Sequence, residues 1–459
     1  MQKSKCNDDS GSDPIGHNRT TMVRAAVAQF KLLDGEPRKH SKHDVDLATG
    51  VLPQLPQGVP LPVVVNDQNE VLVGGLFVLA ARKLGLETLL VVRHDGLSEI
   101  EQKHYAIAVN QLLSKGEWDP LALDVWVREF EGQLEDFSHA TIGFEAGELD
   151  RALGFGKLSG GSGDPNSLPP LAEVAVTKLG QKWLAGCHHI LCGSATETVA
   201  VARLMDEQAA AMAITDPPYG CKVDGFVSKK GLHRDFVEGA GDMGPVALER
   251  FFREFAGHLA VASRPGALVY IFIDWRSLDL LLRACEGVFG PLVQMCCWIK
   301  DRAGMGSFYR SQHELVLVFK VPGAKHVNNV KLGVNGRNRS NVWQYPCAAS
   351  SRSGREGDLL KKHPTPKGVE MIADAILDCT KRGDRVIDCF LGSGTTLIAA
   401  ERTGRICHGM ELDPLYVDVA IRRWQAWTGQ FAIDAETGRT FDELAAEAAR
   451  AEEGDHEQE

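Results

Sequence analysis

The stretch that decides the fold of this chain reads Ala213-Ile214-Thr215-Asp216-Pro217-Pro218-Tyr219-Gly220. An apolar strand ends at Asp216, and each of the two prolines fixes its own φ and holds the residue before it extended. The Asp216 carboxylate and the Pro217 carbonyl can then face one point, with the Tyr219 ring beside them. Two acceptors and a stacking surface suit a planar amine, such as the exocyclic NH2 of a nucleobase turned out of its stack. Taken alone, Asp-Pro-Pro favours the simpler interpretation of a strand followed by a proline-rich turn.

A second motif lies far downstream and reads Arg385-Val386-Ile387-Asp388-Cys389-Phe390-Leu391-Gly392-Ser393-Gly394-Thr395-Thr396. It predicts a short buried strand that runs into a glycine turn, followed by a helix over residues 397–402. Gly392 and Gly394 let the backbone bend tightly and approach a ligand without a Cβ in the way. The pattern is typical of a nucleotide-binding loop.

Three kinds of nucleotide site compete for this loop. A phosphate-binding P-loop needs Gly-Lys-Ser/Thr after the loop, and no lysine is present. A dinucleotide site needs a third glycine where this chain has Leu397. The remaining interpretation is a site for a nucleoside without phosphates. Glu411, 19 residues after Gly392 at the end of the next apolar strand, then stands where a ribose diol needs an acceptor.

Together the two motifs resemble the amino-methyltransferases of DNA. The resemblance implies S-adenosylmethionine as the cofactor and gives the catalytic role to Asp216, Pro217, Pro218 and Tyr219. It implies that the cofactor is bound by Asp388, Phe390, Gly392, Gly394, Thr395, Glu411, His363, Thr365 and Lys367. From the residues alone, Asp388 could instead fix the turn and Phe390 could instead fill the core.

Asp-Pro-Pro-Tyr precedes the glycine loop in this chain, an order that is similar to the permuted β class of that family. A third element, residues 362–367, reads Lys-His-Pro-Thr-Pro-Lys and resembles the segment that closes over the cofactor, with Gly368 in place of its final proline. The resemblance extends over residues 178–430. It implies that Asp216 and the Pro217 carbonyl each accept one N–H of the target amine, while Tyr219 stacks on the base.

Residues 23–118 resemble a ParB-like domain, on the evidence of Pro37-Arg38-Lys39-His40-Ser41 and Ala80-Ala81-Arg82-Lys83-Leu84-Gly85. That family usually has Gly-His-x-Arg where this chain reads Gly74-Gly75-Leu76-Phe77. We therefore expect a degenerate module that serves DNA contact or assembly.

The charge of the chain is unevenly distributed. The formal net charge is −11, yet residues 300–367 hold 13 Lys and Arg against 4 Asp and Glu, which is 13 − 4 = +9. Binding to phosphate depends on the local field and not on the total charge. The basic segment lies between the two motifs, where the β class places its target-recognition region. We expect duplex DNA to contact Arg302, Tyr309, Arg310, Arg337 and Arg339.

The alternation of apolar strands and helices predicts an α/β fold, with a Rossmann-like methyltransferase sheet preceded by the ParB-like domain. The expected boundaries are a disordered N-terminus at 1–22, the ParB-like domain at 23–118, a bridging region with a Gly/Ser linker at 119–175, the methyltransferase domain at 176–430 with its target-recognition region at 300–361, and an acidic tail at 431–459. The short link between strands at 292–299 and 315–319 predicts an antiparallel pair.

The chain has the composition of a globular protein, and we expect neither a signal peptide nor a membrane span. Its 11 cysteines contain no Cys-x-x-Cys and are expected to be reduced thiols, and we expect no metal site. A cytoplasmic, nucleoid-associated location and a possible homodimer follow from the resemblance.

Three other functions compete with N6-adenine methylation of DNA. N4-cytosine methylation needs the same geometry, although aspartate as the first residue of the catalytic motif favours adenine in this family. A catalytically silent, ParB-like DNA-binding adaptor would not need the intact motifs. Methylation of RNA or protein would not need the basic segment.

Overall fold

The structure is a computed structural model, and it describes residues 20–33, 38–56, 61–134, 138–156, 161, 163–219, 243–304, 308–333, 337–346 and 367–456. The chain divides into two compact units, one made of residues 1–119 with 125–145 and the other of residues 120–124 with 146–459. Among the described residues, no helix combines the length and apolarity needed to cross a lipid bilayer.

The first unit contains a five-stranded mixed sheet in the order β1-β5-β3-β4-β2. Its strands are β1 Thr20–Ala26, β2 Lys31–Leu32, β3 Val64–Val65, β4 Glu70–Val73 and β5 Thr88–His94. Its helices include α1 Lys42–Val51, α2 Gly75–Lys83 and α3 Glu99–Leu113. Capping boxes start α1 at Ser41 and α3 at Ser98. β1 pairs with β5 along its whole length, so residues 20–22 belong to the sheet and not to the segment predicted to be disordered, whose residues 1–19 lie outside the described residues.

Helix α4, Pro120–Gln133, follows, and the second unit then contains a ten-stranded sheet. Its strands are β6 Lys182–Ala185, β7 His188–Cys192, β8 Ala210–Thr215, β9 Ser263–Ile273, β10 Gln294–Ile299, β11 His313–Lys320, β12 Val342–Gln344, β13 Arg385–Asp388, β14 Ile406–Glu411 and β15 Ile433–Asp434. Its described helices are α5 Ala146–Ala152, α6 Thr198–Met205, α7 Pro245–Ala262, α8 Leu278–Cys285, α9 Val369–Cys379, α10 Thr395–Thr403, α11 Pro414–Thr428 and α12 Phe441–His456.

The sheet order is β12-β10-β11-β9-β8-β13-β14-β7-β6-β15. β8 pairs in parallel with β9 on one side and β13 on the other, and β13 pairs in parallel with β14. The chain therefore leaves β8 and β13 in opposite directions, which makes their shared boundary a topological switch point. Ligands of open α/β sheets bind at such a point, beyond the carboxyl ends of the strands. The predicted Rossmann-like methyltransferase sheet is confirmed, as is the antiparallel pairing of β10 with β11.

Both faces of the sheet are covered by apolar packing. On β8, Met212 and Ile214 join one buried cluster while Ala213 joins the other. A strand buried on both faces accounts for the continuous apolar run before Asp216. The switch point is thus held between two packed layers.

The second unit extends beyond the predicted methyltransferase boundaries. β15 pairs with β6, and the fully buried Phe441 lies 5.3 Å from the Trp183 ring centroid. The segment that begins at residue 431 is therefore part of the packed unit as far as Phe441, which corrects the predicted tail. At the other end, Asn166 accepts from the Val369 N–H at the start of α9, so the end of the predicted linker is anchored.

A buried ion pair fixes helix α5 in the second unit. Arg405 donates to both carboxylate oxygens of Asp150 at 2.8 Å, and both side chains are at least 95% buried. Because an unpaired buried guanidinium is costly, we expect Asp150→Ala to destabilise the unit by about 3–5 kcal/mol.

Chemical denaturation measures this change in the free energy of unfolding. Glu447→Ala is the matched control, because it breaks the exposed Arg439–Glu447 pair and should change stability little. If both substitutions lowered the free energy of unfolding by the same amount, the larger contribution expected of the buried pair would be contradicted.

Candidate active site

The end of β8 is joined to the glycine loop by a buried carboxylate. Asp388, the last residue of β13, accepts from the Thr215 hydroxyl at 2.8 Å and from the Thr396 hydroxyl at 2.6 Å. The Phe390 N–H also donates to it, at 3.1 Å. Burial raises the pKa of Asp388 to about 6, although these donors oppose the shift. Asp388 therefore fixes the turn, while the contact with the cofactor that the resemblance implies stays a prediction.

The glycine loop needs glycine at two positions for different reasons. Gly394 has φ +81°, and a Cβ there would lie 2.9 Å from the Ala420 Cβ on α11. Gly392 has φ +52°, and a Cβ there would meet nothing within 4 Å. Gly394 thus allows close packing against a helix, whereas Gly392 borders open space beyond the strand ends. That space is where a ligand can approach the backbone.

Glu411 lies across this space at the end of β14. Its carboxylate accepts from the Gly392 N–H at 2.8 Å and from the Asp413 N–H at 3.0 Å. Burial raises the pKa of Glu411 to about 7, against the effect of these two hydrogen bonds. The acceptor expected for a ribose diol is therefore oriented by the loop itself, so the residues present fit a nucleoside cofactor without phosphates.

Arg423 on α11 supports the loop from behind, and sequence reasoning missed it. Its guanidinium donates to the Ser393 carbonyl at 2.9 Å, to the Thr395 hydroxyl at 3.2 Å and to the Pro165 carbonyl at 2.9 Å. Burial lowers the pKa of Arg423 to about 9. One arginine in a largely apolar helix face was the available signal.

Asp216 follows β8 at the same edge and pairs with Lys367. The Lys367 ammonium donates to Asp216 Oδ2 at 2.5 Å, while the buried Oδ1 has no partner among the described residues. Burial raises the pKa of Asp216, and the charge of Lys367 opposes this shift. Lys367 was predicted to bind the cofactor, but its ammonium contacts the predicted catalytic acid.

Two further charged side chains extend this ion pair beyond Lys367. Its ammonium lies 3.3 Å from Glu314 Oε2, and Glu314 Oε1 pairs with Lys300. Glu314 is buried on β11, and its two lysine partners outweigh burial and lower its pKa. We refer to Asp216, Lys367, Glu314 and Lys300 as the charge chain. An acidic residue at the start of the apolar strand 313–320 was the only sequence signal for Glu314.

The rest of the catalytic motif is well packed. Pro217 is buried, and Pro218 and Tyr219 are half-buried. The Ser277 hydroxyl donates to the Tyr219 carbonyl at 3.0 Å, which ties the motif to the turn after β9. Asp274 shapes that turn by accepting from the N–H groups of Arg276 and Ser277.

The loop between β10 and β11 lies at this same edge, because Ile299 pairs with His313 and Leu315 pairs with Ile273. Phe308 and Tyr309 are 84% and 88% exposed, and their ring centroids are 4.3 Å apart. Arg310 is exposed but donates to the carbonyls of Gly304 and Ala303, so it also shapes the loop. Arg302 is exposed at the base of the loop.

Two of the arginines expected to contact DNA are instead internal. Arg337 is buried and pairs with Asp374 and Asp378 on α9. Arg339 pairs with the same two carboxylates and donates to the Tyr345 hydroxyl at 2.5 Å. Both expectations are corrected, because these guanidinium groups hold the edge of the sheet together.

Of the remaining residues predicted to bind the cofactor, two lie among the described residues and two do not. The Phe390 ring packs on the α7 rings of Phe251 and Phe255, at centroid distances of 5.8 and 5.2 Å, as core filler would. The Thr395 hydroxyl lies 3.4 Å from the Lys367 carbonyl. His363 and Thr365 lie outside the described residues.

Residues 210–422 match the model of the N6/N4 methyltransferase family described as "DNA methylase", which is slightly under half of the chain. That segment contains Asp216, Lys367, the glycine loop and Glu411. The chain is also 23% identical over 276 residues to the type II methyltransferase M.HpaI of Haemophilus parainfluenzae, covering 56% of this chain and 80% of that protein.

Solved structures with a similar arrangement include the M1.HpyAVI–SAM complex, at 20% identity and a TM-score of 0.36, covering 51% of this chain and 98% of that one. The cytosine-N4-specific PvuII DNA methyltransferase is 16% identical, with a TM-score of 0.40, covering 60% of this chain and 94% of that one.

The family match and the site geometry agree on the same residues. Asp216, the glycine loop and Glu411 all lie at one switch point within the matched segment. Residues 210–422 thus match the N6/N4 methyltransferase family in sequence, and the residues that the fold gathers at the switch point fit an amine substrate and a nucleoside cofactor.

Proposed function

We propose that this protein methylates the N6 amine of adenine at specific sites in duplex DNA, as the modification enzyme of a restriction-modification pair. The observation that carries the proposal is the position of Asp216 at the end of β8, which Thr215 and Asp388 join to the glycine loop. Its buried Oδ1 has no hydrogen-bond partner among the described residues. Aspartate as the first residue of the catalytic motif favours adenine, and N4 of cytosine is the alternative target.

The target amine is a poor nucleophile because its lone pair is delocalised into the ring. Asp216 Oδ1 accepts one N–H and the Pro217 carbonyl accepts the other, which favours a nitrogen with a localised lone pair. Tyr219 stacks on the base that has left the helix. When bound, S-adenosylmethionine supplies an electrophilic methyl group. After transfer, Asp216 is the base placed to take the proton that the nitrogen releases.

The cofactor is held by residues that the structure has already oriented. Glu411 would accept hydrogen bonds from the ribose hydroxyls, and its carboxylate is positioned by the N–H groups of Gly392 and Asp413. The backbone at Gly392 lines the space beside it, since no Cβ occupies it. The protein thus contributes orientation and electrostatics, and it needs no covalent enzyme intermediate.

Duplex DNA is the favoured substrate because the loop between β10 and β11 presents exposed rings at the same edge of the sheet as Asp216. Of the 13 basic residues in 300–367, Lys300, Arg337, Arg339 and Lys367 form internal ion pairs. At this edge Arg302, Arg310 and the aromatic pair would contact DNA. The ParB-like identity of the first unit and a homodimer stay predictions.

Asp216→Asn tests the catalytic assignment. The substitution removes the charge and presents an amide where the amine needs an acceptor, so we expect methyl transfer to fall by about 10²–10³-fold or more. Transfer of labelled methyl groups to plasmid DNA measures the rate, and mass analysis of the digested nucleosides distinguishes N6-methyladenine from N4-methylcytosine.

Cofactor binding by the Asp216→Asn variant is the internal control and should equal that of the wild type. A variant that methylates DNA at the wild-type rate would overturn the role of Asp216. Methylcytosine as the only product would replace adenine as the target, and methylated RNA or protein without methylated DNA would replace the substrate.

The raised pKa of Glu411 predicts how cofactor affinity depends on pH. Ribose hydroxyls donate to the ionised carboxylate, and the pKa of Glu411 without cofactor is about 7. Below that pH the proton must first be lost, so the dissociation constant should rise about tenfold per unit as pH falls, and it should be flat above. Isothermal calorimetry from about pH 5.5 to 8.5 measures this dependence.

Glu411→Gln should remove the pH dependence and weaken binding by about 1.5–3 kcal/mol, because an amide cannot accept from Gly392, Asp413 and a diol together. Glu286→Gln, at an exposed residue after α8, is the matched control and should bind as the wild type does. An unchanged slope in Glu411→Gln would show that another group titrates.

Tyr309→Ala tests the predicted DNA contact. Loss of one stacked ring should weaken binding of a duplex by about 1–3 kcal/mol, or about 5- to 150-fold, with cofactor affinity unchanged. Fluorescence anisotropy measures the duplex affinity. Phe431→Ala, which removes a ring that is 60% exposed, is the control, and equal affinities for the two variants would argue against a DNA contact at Tyr309.

A further inference from the structure

The two carboxylate oxygens of Asp216, the predicted catalytic acid, differ in their partners. Asp216 Oδ2 accepts from Lys367 at 2.5 Å, and the buried Oδ1 has no partner among the described residues. A carboxylate tied through one oxygen is hindered from rotating, so Oδ1 stays the oxygen without a partner among the described residues. The tie therefore selects the atom that is available to a target amine.

Lys367 is itself held firmly. Its side chain is only 7% exposed, and its ammonium lies 4.5 Å from the Phe272 ring centroid and 5.5 Å from that of Trp298. Glu314 Oε2, at 3.3 Å, supplies its second carboxylate partner. Burial disfavours the charge on Lys367, but the two carboxylates outweigh burial and raise its pKa. The lysine is a fixed cation next to Asp216.

Glu314 shares its charge between two lysines. Its Oε1 pairs with Lys300, the residue that follows β10. Lys300 and Gln312 exchange two hydrogen bonds of 2.9 Å, one from each, so the outer end of the charge chain lies at the base of the loop with the exposed rings. Charges alternate along the four residues, and each buried charge has an opposite neighbour.

We infer that Lys367 is a positioning residue for methyl transfer, one that keeps Asp216 ionised and turned so that Oδ1 accepts the target amine, and that Glu314 weakens this effect by drawing on the same ammonium. The inference rests on the proposed function, because it describes how the amine acceptor of that reaction is set. It assigns Lys367 to the acid and not to the cofactor.

The electrostatic consequence has a definite sign. The groups that face Asp216 are Lys367, Glu314 and Lys300, with the Asp388 carboxylate behind Thr215. Removing the Lys367 charge must raise the pKa of Asp216, whereas removing the Glu314 charge must lower it. Since only ionised Asp216 accepts the amine, the rate falls on the acid side of its pKa. The two substitutions should therefore move the acid limb of the rate profile in opposite directions.

The experiment compares Lys367→Met and Glu314→Gln with the wild type. The measured quantity is the pH at which kcat falls to half of its maximum on the acid side, the acid limb. We expect Lys367→Met to raise this pH by roughly one to three units and Glu314→Gln to lower it. The carboxyl carbon-13 resonance of Asp216, assigned by its loss in Asp216→Asn, should titrate with the same displacements in protein without DNA. Cofactor affinity should stay within about twofold of the wild type in both variants.

Lys381→Met is the matched control, because Lys381 is exposed and precedes β13 at the opposite edge of the sheet. It should leave the limb, the resonance and the affinity unchanged. If Lys367→Met does not fold, as thermal unfolding would show, the downward displacement in Glu314→Gln carries the test.

Other outcomes separate the alternatives. Weakened cofactor binding in Lys367→Met with an unmoved limb would place the lysine in the cofactor site and overturn the inference. If Lys367→Met lowered the rate equally at every pH and left the Asp216 resonance unchanged, Lys367 would have only a structural role, and the inference would be overturned. Displaced resonances in a protein that methylates no DNA would support the charge chain and overturn the proposed function instead.

Discussion

The candidate site depends on one buried carboxylate that joins two parallel strands. Asp388 receives the hydroxyls of Thr215 from β8 and Thr396 from α10, and so it fixes the Asp216 motif relative to the glycine loop. A carboxylate buried without a cation is costly, and its pKa of about 6 shows that three donors offset this cost only partly. Because the folded pKa is raised, its contribution to stability is complete at low pH and declines as pH rises through about 6.

A second constraint is that the charges beyond Asp216 form a balanced set. Two carboxylates and two ammonium groups alternate along the charge chain, with the aromatic rings of Phe272 and Trp298 around Lys367. In such surroundings an unpaired charge is unstable, while a change in one member is felt by the next. The Asp216 carboxylate is thus oriented by its neighbours in the absence of a ligand. In the proposed reaction this is the condition under which fixed charges accelerate a step.

The sequence predicts the backbone of this site better than its side-chain partners. The strands before Asp216 and the glycine loop are visible because apolar runs, prolines and glycines act locally, and their roles follow from short motifs. Arg337 and Lys367 carry a charge that the sequence shows, but their partners lie on α9 and β11, and nothing local indicates which segments pack there. Charge counting consequently overestimated the basic surface, since paired arginines and lysines contribute little field outside the molecule.

The order of the motifs along the chain has little bearing on the site, and the sheet explains why. β8 and β13 are neighbours although β9 to β12 lie between them in sequence, because those four strands are all added on the far side of β8. The segment between the motifs can therefore carry the loop that is predicted to read DNA without separating Asp216 from Gly392. The same topology places that loop on the β9 side of β8, at the edge of the sheet where Asp216 lies, and it leaves β14 with Glu411 on the other side. The switch point thus divides the work of the site, with the predicted base and DNA contacts on one side and the cofactor contacts on the other.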